Sequence, residues 1–199
     1  MKHENNIREA AKLPLSFMGF IFYEGSKRSV EKNFVMPALP SSIKKVGVFV
    51  NESIKNISSA IEKYKLDLVQ LHGDEPAAFC KEMNEKVKVI KAFGIDEKFD
   101  LEILKDYENC CEYFLFDTRT SQHGGSGKKF NWEILERYQL EKPFFLSGGI
   151  GPGGADEIKK IKQRVPQFFA VDVNSKFETE PGIKDISKLK QFMHDLQSE

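Results

Sequence analysis

The run Pro143-Phe144-Phe145-Leu146 leads directly into Ser147-Gly148-Gly149-Ile150. An apolar run this short, rich in aromatic rings and closed by glycine, suits a strand covered on both faces better than a helix. The two glycines let backbone N–H groups approach an anion with no Cβ in the way. A strand that ends in such a turn and opens into a helix is a natural seat for phosphate. The competing reading is that the glycines only make a tight turn.

The same rhythm repeats outward from this stretch. Short apolar runs stand at Phe17–Phe22, Val46–Val50, Leu68–Leu71, Val87–Phe93, Tyr113–Phe116 and Phe168–Val173. Between them, Ser53–Tyr64, Pro76–Asn84, Gly153–Ile161 and Lys184–Leu196 fit amphipathic helices. Asn51 and Ser53 offer N-caps, and Pro76 suits a first helical turn. Strand then helix, repeated, indicates parallel βαβ units. No linker or composition shift divides residues 1–199, so the expectation is one α/β domain. Seven countable strands point to a (β/α)8 barrel with one strand unaccounted for. A doubly wound open sheet is the alternative, but it concentrates its glycines near the first strand. Here they are spread over many strand ends. A helix at Glu4–Lys12 precedes the first visible strand, so the absent strand is expected to be the first, upstream of Met1.

In such a barrel the chemistry lies at the carboxyl ends of the strands. Asp117 ends the run YFLF, where a carboxylate is shielded from water and suited to general acid work. Its bland reading is a cap for the next segment. The loop Gly124-Gly125-Ser126-Gly127-Lys128 reads as a cover for substrate, a second anion nest or a plain connection. Gly148 and Gly149 gain partners in Asn174 and Ser175 of the final loop, because barrels hold phosphate between their last two loops. Arg28 follows the first run; its guanidinium fork suits a carboxylate, although a surface arginine is the plainer alternative. His72, in Leu71-His72-Gly73-Asp74, is either a base or simply held by hydrogen bonds, and receives no role.

Composition narrows the remaining choices. Lys plus Arg and Asp plus Glu both total 30, for a net charge of zero. Nucleic acid and membrane surfaces call for a basic excess, so neither is an expected partner. The three cysteines, Cys80, Cys110 and Cys111, make neither a disulfide framework nor a CxxC zinc motif, so no metal is expected. The polar start Met1-Lys2-His3-Glu4-Asn5 is unlike a signal peptide, and the expected compartment is the cytoplasm.

Taken in order, MGFIFYEGSKRSV, VGVFVN, LVQLHGDE, IKAFGI, FLFDT with GGSGKKFNW, LSGGIGP and AVDVNSKFETEPGIKD resemble the phosphoribosylanthranilate isomerases of tryptophan biosynthesis. SGGI alone occurs in other phosphate-binding barrels; the ordered set is specific. The resemblance implies a cofactor-free (β/α)8 isomerase acting on a small phosphosugar, as a monomer or a homodimer. It implies Asp117 as general acid, Arg28 as holder of the anthranilate carboxylate, and Gly148, Gly149, Asn174 and Ser175 as phosphate grip. Asn174 stands where many relatives carry serine. The implied general base is a cysteine on the first strand, and no such Lys-(Ile/Val)-Cys-Gly segment is present, so a chain truncated before or within that strand is expected. The other readings are a non-catalytic phosphosugar-binding barrel, or a different phosphosugar enzyme such as an indole-glycerol-phosphate synthase or an epimerase.

Overall fold

The computed structural model of the chain describes residues 1–118 and 131–198. The predicted glycine-rich loop Gly124 to Lys128 lies outside the described residues.

Seven parallel strands form one curled sheet in chain order. They are β1 (Phe17–Ile21), β2 (Lys44–Phe49), β3 (Leu68–Leu71), β4 (Lys88–Ile95), β5 (Tyr113–Thr118), β6 (Phe144–Leu146) and β7 (Phe168–Val171). Each run anticipated from the sequence is a strand, with ends shifted by a few residues. The α-helices are α1 (Glu4–Ala10), α2 (Ile54–Tyr64), α3 (Ala77–Asn84), α4 (Ala155–Arg164) and α5 (Ile186–Gln197). Ordered parallel strands with helical crossovers are the (β/α)8-barrel architecture, here with seven of its strands among the described residues.

Side chains alternate across the sheet, as the strand period of two requires. Val46, Leu68, Ile90, Ala92, Leu115 and Phe145 fill the barrel interior. The intervening residues, such as Val69, Leu71, Val89, Phe114, Phe116, Phe144 and Leu146, pack outward under the helices. Both faces are buried, which is why the strands read as unbroken apolar runs. The sheet edges β1 and β7 are not paired with each other. They meet instead through rings: Phe17 and Phe169 stand edge to face with centroids 6.0 Å apart.

The structure corrects several details. Ser53 caps α2, accepting from the Asn56 N–H at 3.2 Å, but Asn51 caps nothing. Asn51 takes a left-handed φ of 50° and turns its side chain to accept from the Asp74 N–H at 2.7 Å. Two crossovers are built on 3₁₀ turns, at Leu101–Tyr107 and Trp132–Arg137. The segment that begins the last predicted helix is a strand. Glu178–Glu180 (β8) and Ile183–Lys184 (β9) form an antiparallel hairpin, and α5 starts only at Ile186. Gly182, at φ 91°, makes the turn between them.

Candidate active site

Asp117 is the penultimate residue of β5, in register with Gly94 of β4, rather than just beyond the strand. Its Oδ1 accepts from the Thr118 N–H at 2.8 Å. Its Oδ2 lies 3.3 Å from His72 Nε2. His72 follows β3, and its Nδ1 is 2.7 Å from the Gln70 amide nitrogen. With Nδ1 accepting from that amide, the ring proton of neutral His72 is on Nε2 and faces the carboxylate. The histidine left without a role is therefore brought directly against the predicted acid.

The loop bearing His72 is held from below by a buried ion pair. Lys91 Nζ meets Glu75 Oε2 at 2.8 Å, and their side chains are 3% and 2% exposed. Lys91 also donates to the Gly73 carbonyl at 2.6 Å. Glu75 Oε1 accepts from the Asn51 N–H at 2.8 Å and Oε2 from the Gly73 N–H at 3.0 Å. The ends of β2, β3 and β4 are thereby tied together.

Gly148 and Gly149 follow β6 with φ of 85° and 68°. Glycine is required at Gly148 twice over. Its φ is left-handed, and an added Cβ would collide with the Thr118 backbone and hydroxyl and approach Asp117 Oδ1 to 2.8 Å. The glycine turn and the carboxylate thus lie against each other. Gly148→Ala is expected to lose roughly 1–3 kcal/mol from backbone strain alone and to displace Asp117. Thermal melting reads the first effect and kcat the second.

The final loop carries Asp172, Asn174 and Ser175. Ser175 opens a short 3₁₀ turn, Ser175–Phe177. The Asn174 side chain does not project freely: its Oδ1 accepts from Lys184 Nζ at 2.5 Å. Lys184 in turn meets Glu178 Oε1 at 3.0 Å, and Glu178 Oε2 receives Arg28 Nε at 2.8 Å. Arg28 is thus joined through Glu178 and Lys184 to Asn174, by a carboxylate that sequence reading passed over. The pairing joins residues 150 apart, for which no local pattern exists.

Asp172 follows directly on the last residue of β7. Its carboxyl is raised above the ordinary range by burial, then by the neighbouring Asp117 carboxyl, against a pull from Lys184. A carboxyl whose folded value is raised binds its proton more tightly folded than unfolded. Stability conferred by the protonated form therefore falls away as pH climbs above the unfolded value, and the charged form costs stability at neutral pH. Asp172→Asn is expected to raise Tm at pH 7 by roughly 2–4 °C, the change that goes with ~1 kcal/mol in a domain of this size. The difference should shrink toward pH 4. A melting series over pH 4–8 on both proteins checks it.

None of the cysteines is at a strand's carboxyl end. Cys80 is buried in α3, and Cys110 and Cys111 lie just before β5. Burial pushes the Cys80 and Cys111 thiols up to about 12, so both are protonated at neutral pH and unsuited to base work. Among the described residues no cluster of His, Cys, Asp and Glu is arranged to hold a metal ion. Among them, too, no helix is long and apolar enough to cross a membrane.

Comparison with known proteins agrees with this geometry. The family described as N-(5'phosphoribosyl)anthranilate (PRA) isomerase matches residues 1–195. An N-(5'-phosphoribosyl)anthranilate isomerase of Parabacteroides distasonis is 46% identical, over 98% of this chain and 90% of that protein. One of Phocaeicola vulgatus is 40% identical, over 99% and 95%. Coverage of this extent does not by itself support the expected truncation. The crystal structure of phosphoribosyl anthranilate isomerase from Thermotoga maritima superposes with a TM-score of 0.84 at 32% identity, covering 99% of this chain and 95% of that one. A phosphoribosyl anthranilate isomerase in complex with reduced 1-(o-carboxyphenylamino)-1-deoxyribulose 5-phosphate superposes at 0.78 with 28% identity, covering 99% and 95%. With its barrel, its acid beside a glycine turn and its ordered motifs, the chain belongs to the N-(5'-phosphoribosyl)anthranilate isomerase family.

Proposed function

We propose that this chain converts N-(5'-phosphoribosyl)anthranilate to 1-(2-carboxyphenylamino)-1-deoxyribulose 5-phosphate, an Amadori rearrangement in tryptophan biosynthesis. The observation that carries the reading is the contact of Asp117 with the Gly148 turn, which sets an acid beside an anion seat. In the proposed reaction Asp117 protonates the furanose oxygen and the ring opens to a Schiff base; a base, the role the resemblance implies for a first-strand cysteine, then takes the C2' proton to give an enolamine that tautomerises. The glycine turn, Asn174 and Ser175 hold the 5'-phosphate at one end, and Arg28 the anthranilate carboxylate at the other. The substrate is a small phosphosugar, the chain works as a monomer or homodimer, and its compartment is the cytoplasm.

A second reading, a phosphosugar-binding barrel without turnover, is favoured by one observation: no cysteine stands at the site. The test follows the loss of anthranilate fluorescence when protein is added to freshly made substrate. Turnover well above the uncatalysed rate supports the isomerase. Tight binding of the reduced product without turnover, persisting in a chain extended by a Lys-Val-Cys-Gly strand, supports the second reading.

A further inference from the structure

The hairpin β8–β9 carries charges for which the reaction itself has no use. Glu178 and Lys184 face each other in register across its two strands, with side chains 4% and 9% exposed. Burying such a pair is costly, and an apolar replacement often stabilises a protein as well or better. Its place in the site offers another reason for it. Glu178 is bonded on both oxygens: Oε2 receives Arg28 Nε at 2.8 Å, and Oε1 receives Lys184 Nζ at 3.0 Å and the Gly182 N–H at 3.1 Å. All three protons of Lys184 have acceptors, in Glu178 Oε1, Asn174 Oδ1 at 2.5 Å and the Asn174 carbonyl at 3.1 Å.

We propose that Glu178 and Lys184 are positioning residues that hold the two anion-binding ends of the site in one rigid network. Glu178 grips the guanidinium of Arg28 by its Nε edge. Among the described residues the two Nη groups have no hydrogen-bond partner, so the end of the fork presents its N–H groups to an incoming carboxylate. Lys184 grips Asn174 by side chain and backbone together, setting the loop that opens into the Ser175 turn. The cations of the triad outnumber its one carboxylate, with the Asp172 carboxyl as a further neighbour of Lys184. The hairpin is itself anchored: Asn6 of α1 donates to the Lys184 carbonyl at 2.8 Å and accepts from its N–H at 2.7 Å. Burial disfavours the Glu178 carboxylate, but Lys184 and Arg28 outweigh it and hold the carboxyl below its usual range. Burial lowers Lys184, against the pull of Glu178. Glu178 is charged at neutral pH, and its bonds to Arg28 and Lys184 are the centre of the network.

The inference rests on the reading of Arg28 and Asn174 as the two ends of the substrate site. Its test is the affinity of Glu178→Gln for two probes, ribose 5-phosphate and reduced 1-(o-carboxyphenylamino)-1-deoxyribulose 5-phosphate, by calorimetry beside the unaltered protein. Loosening anchors by an ångström costs up to about a hundredfold. Roughly tenfold weaker binding of the first probe, and a larger loss for the second, is expected in a variant that still folds. A lowered Tm with both affinities unchanged overturns the proposal and leaves the isomerase reading intact. If the unaltered protein binds neither probe, both fall. Lys184→Met serves where E178Q does not fold: ribose 5-phosphate binding within twofold of the unaltered protein again overturns the proposal.

Discussion

Asp117→Asn is expected to reduce kcat by roughly 10²–10⁴, the usual contribution of a general acid, with KM little changed. The substitution keeps shape and volume but removes the proton to be given. It also disturbs the neighbourhood in a definable way. Asp117 accepts from the Thr118 N–H on one oxygen and faces His72 Nε2 with the other. An asparagine has only one acceptor oxygen, so one of these neighbours meets an NH₂ group instead. If that neighbour is His72, the ring must move its proton to Nδ1 and the Gln70 amide must turn over to accept it. A fall in kcat with intact folding and unchanged binding of the reduced product identifies an interaction made in the transition state. Steady-state kinetics with circular dichroism distinguishes this from unfolding. A variant that retains kcat within threefold removes Asp117 from the chemistry.

The largest stability effect is expected at Lys91, away from the reacting centre. Lys91→Met leaves Glu75 buried with its charge uncompensated, which costs about 3–5 kcal/mol. For a domain of this size that is a fall in Tm of roughly 6–20 °C. The carboxylate would then retain only its N–H donors from Asn51 and Gly73. Replacing both partners, as Glu75→Gln with Lys91→Met, should recover much of the loss, because the stranded charge is gone. The double-mutant cycle measures the coupling directly. Since the pair fixes the loop that presents His72 to Asp117, kcat should fall in the single variant even at temperatures where it is folded.

Much of this protein was readable along the chain. The strands announced themselves because a barrel strand is buried on both faces, leaving apolar runs with no need of tertiary information. Asp117 and the Gly148–Gly149 turn were visible for a related reason: a polar residue or paired glycines at the end of such a run breaks the pattern at the barrel's working face. Arg28, Asn174 and Ser175 were picked out by their places after strand ends and by the ordered motifs that resemble a family, and the structure brings Arg28 and Asn174 into one connected cluster.

What the chain could not disclose is how those residues are held. Glu178 sits in a polar stretch that reads as the approach to a helix, and nothing local marks it as the partner of Arg28. Asn51 reads as a helix cap because Ser, Asn and Asp favour that place, yet a neighbouring strand end claims its side chain. Lys91 stands inside a strand, where only the helix-side packing reveals that its charge is answered by Glu75. These pairings arise when the sheet curls and sets loops from distant strands against one another, and sequence separation carries no periodic trace of that. Local pattern alone picked out the strands, Asp117 at the end of one and the glycine turn at the end of another. The curvature of the sheet decided that Gly148 must press against Asp117, and that Glu178 and Lys184 join Arg28 to Asn174.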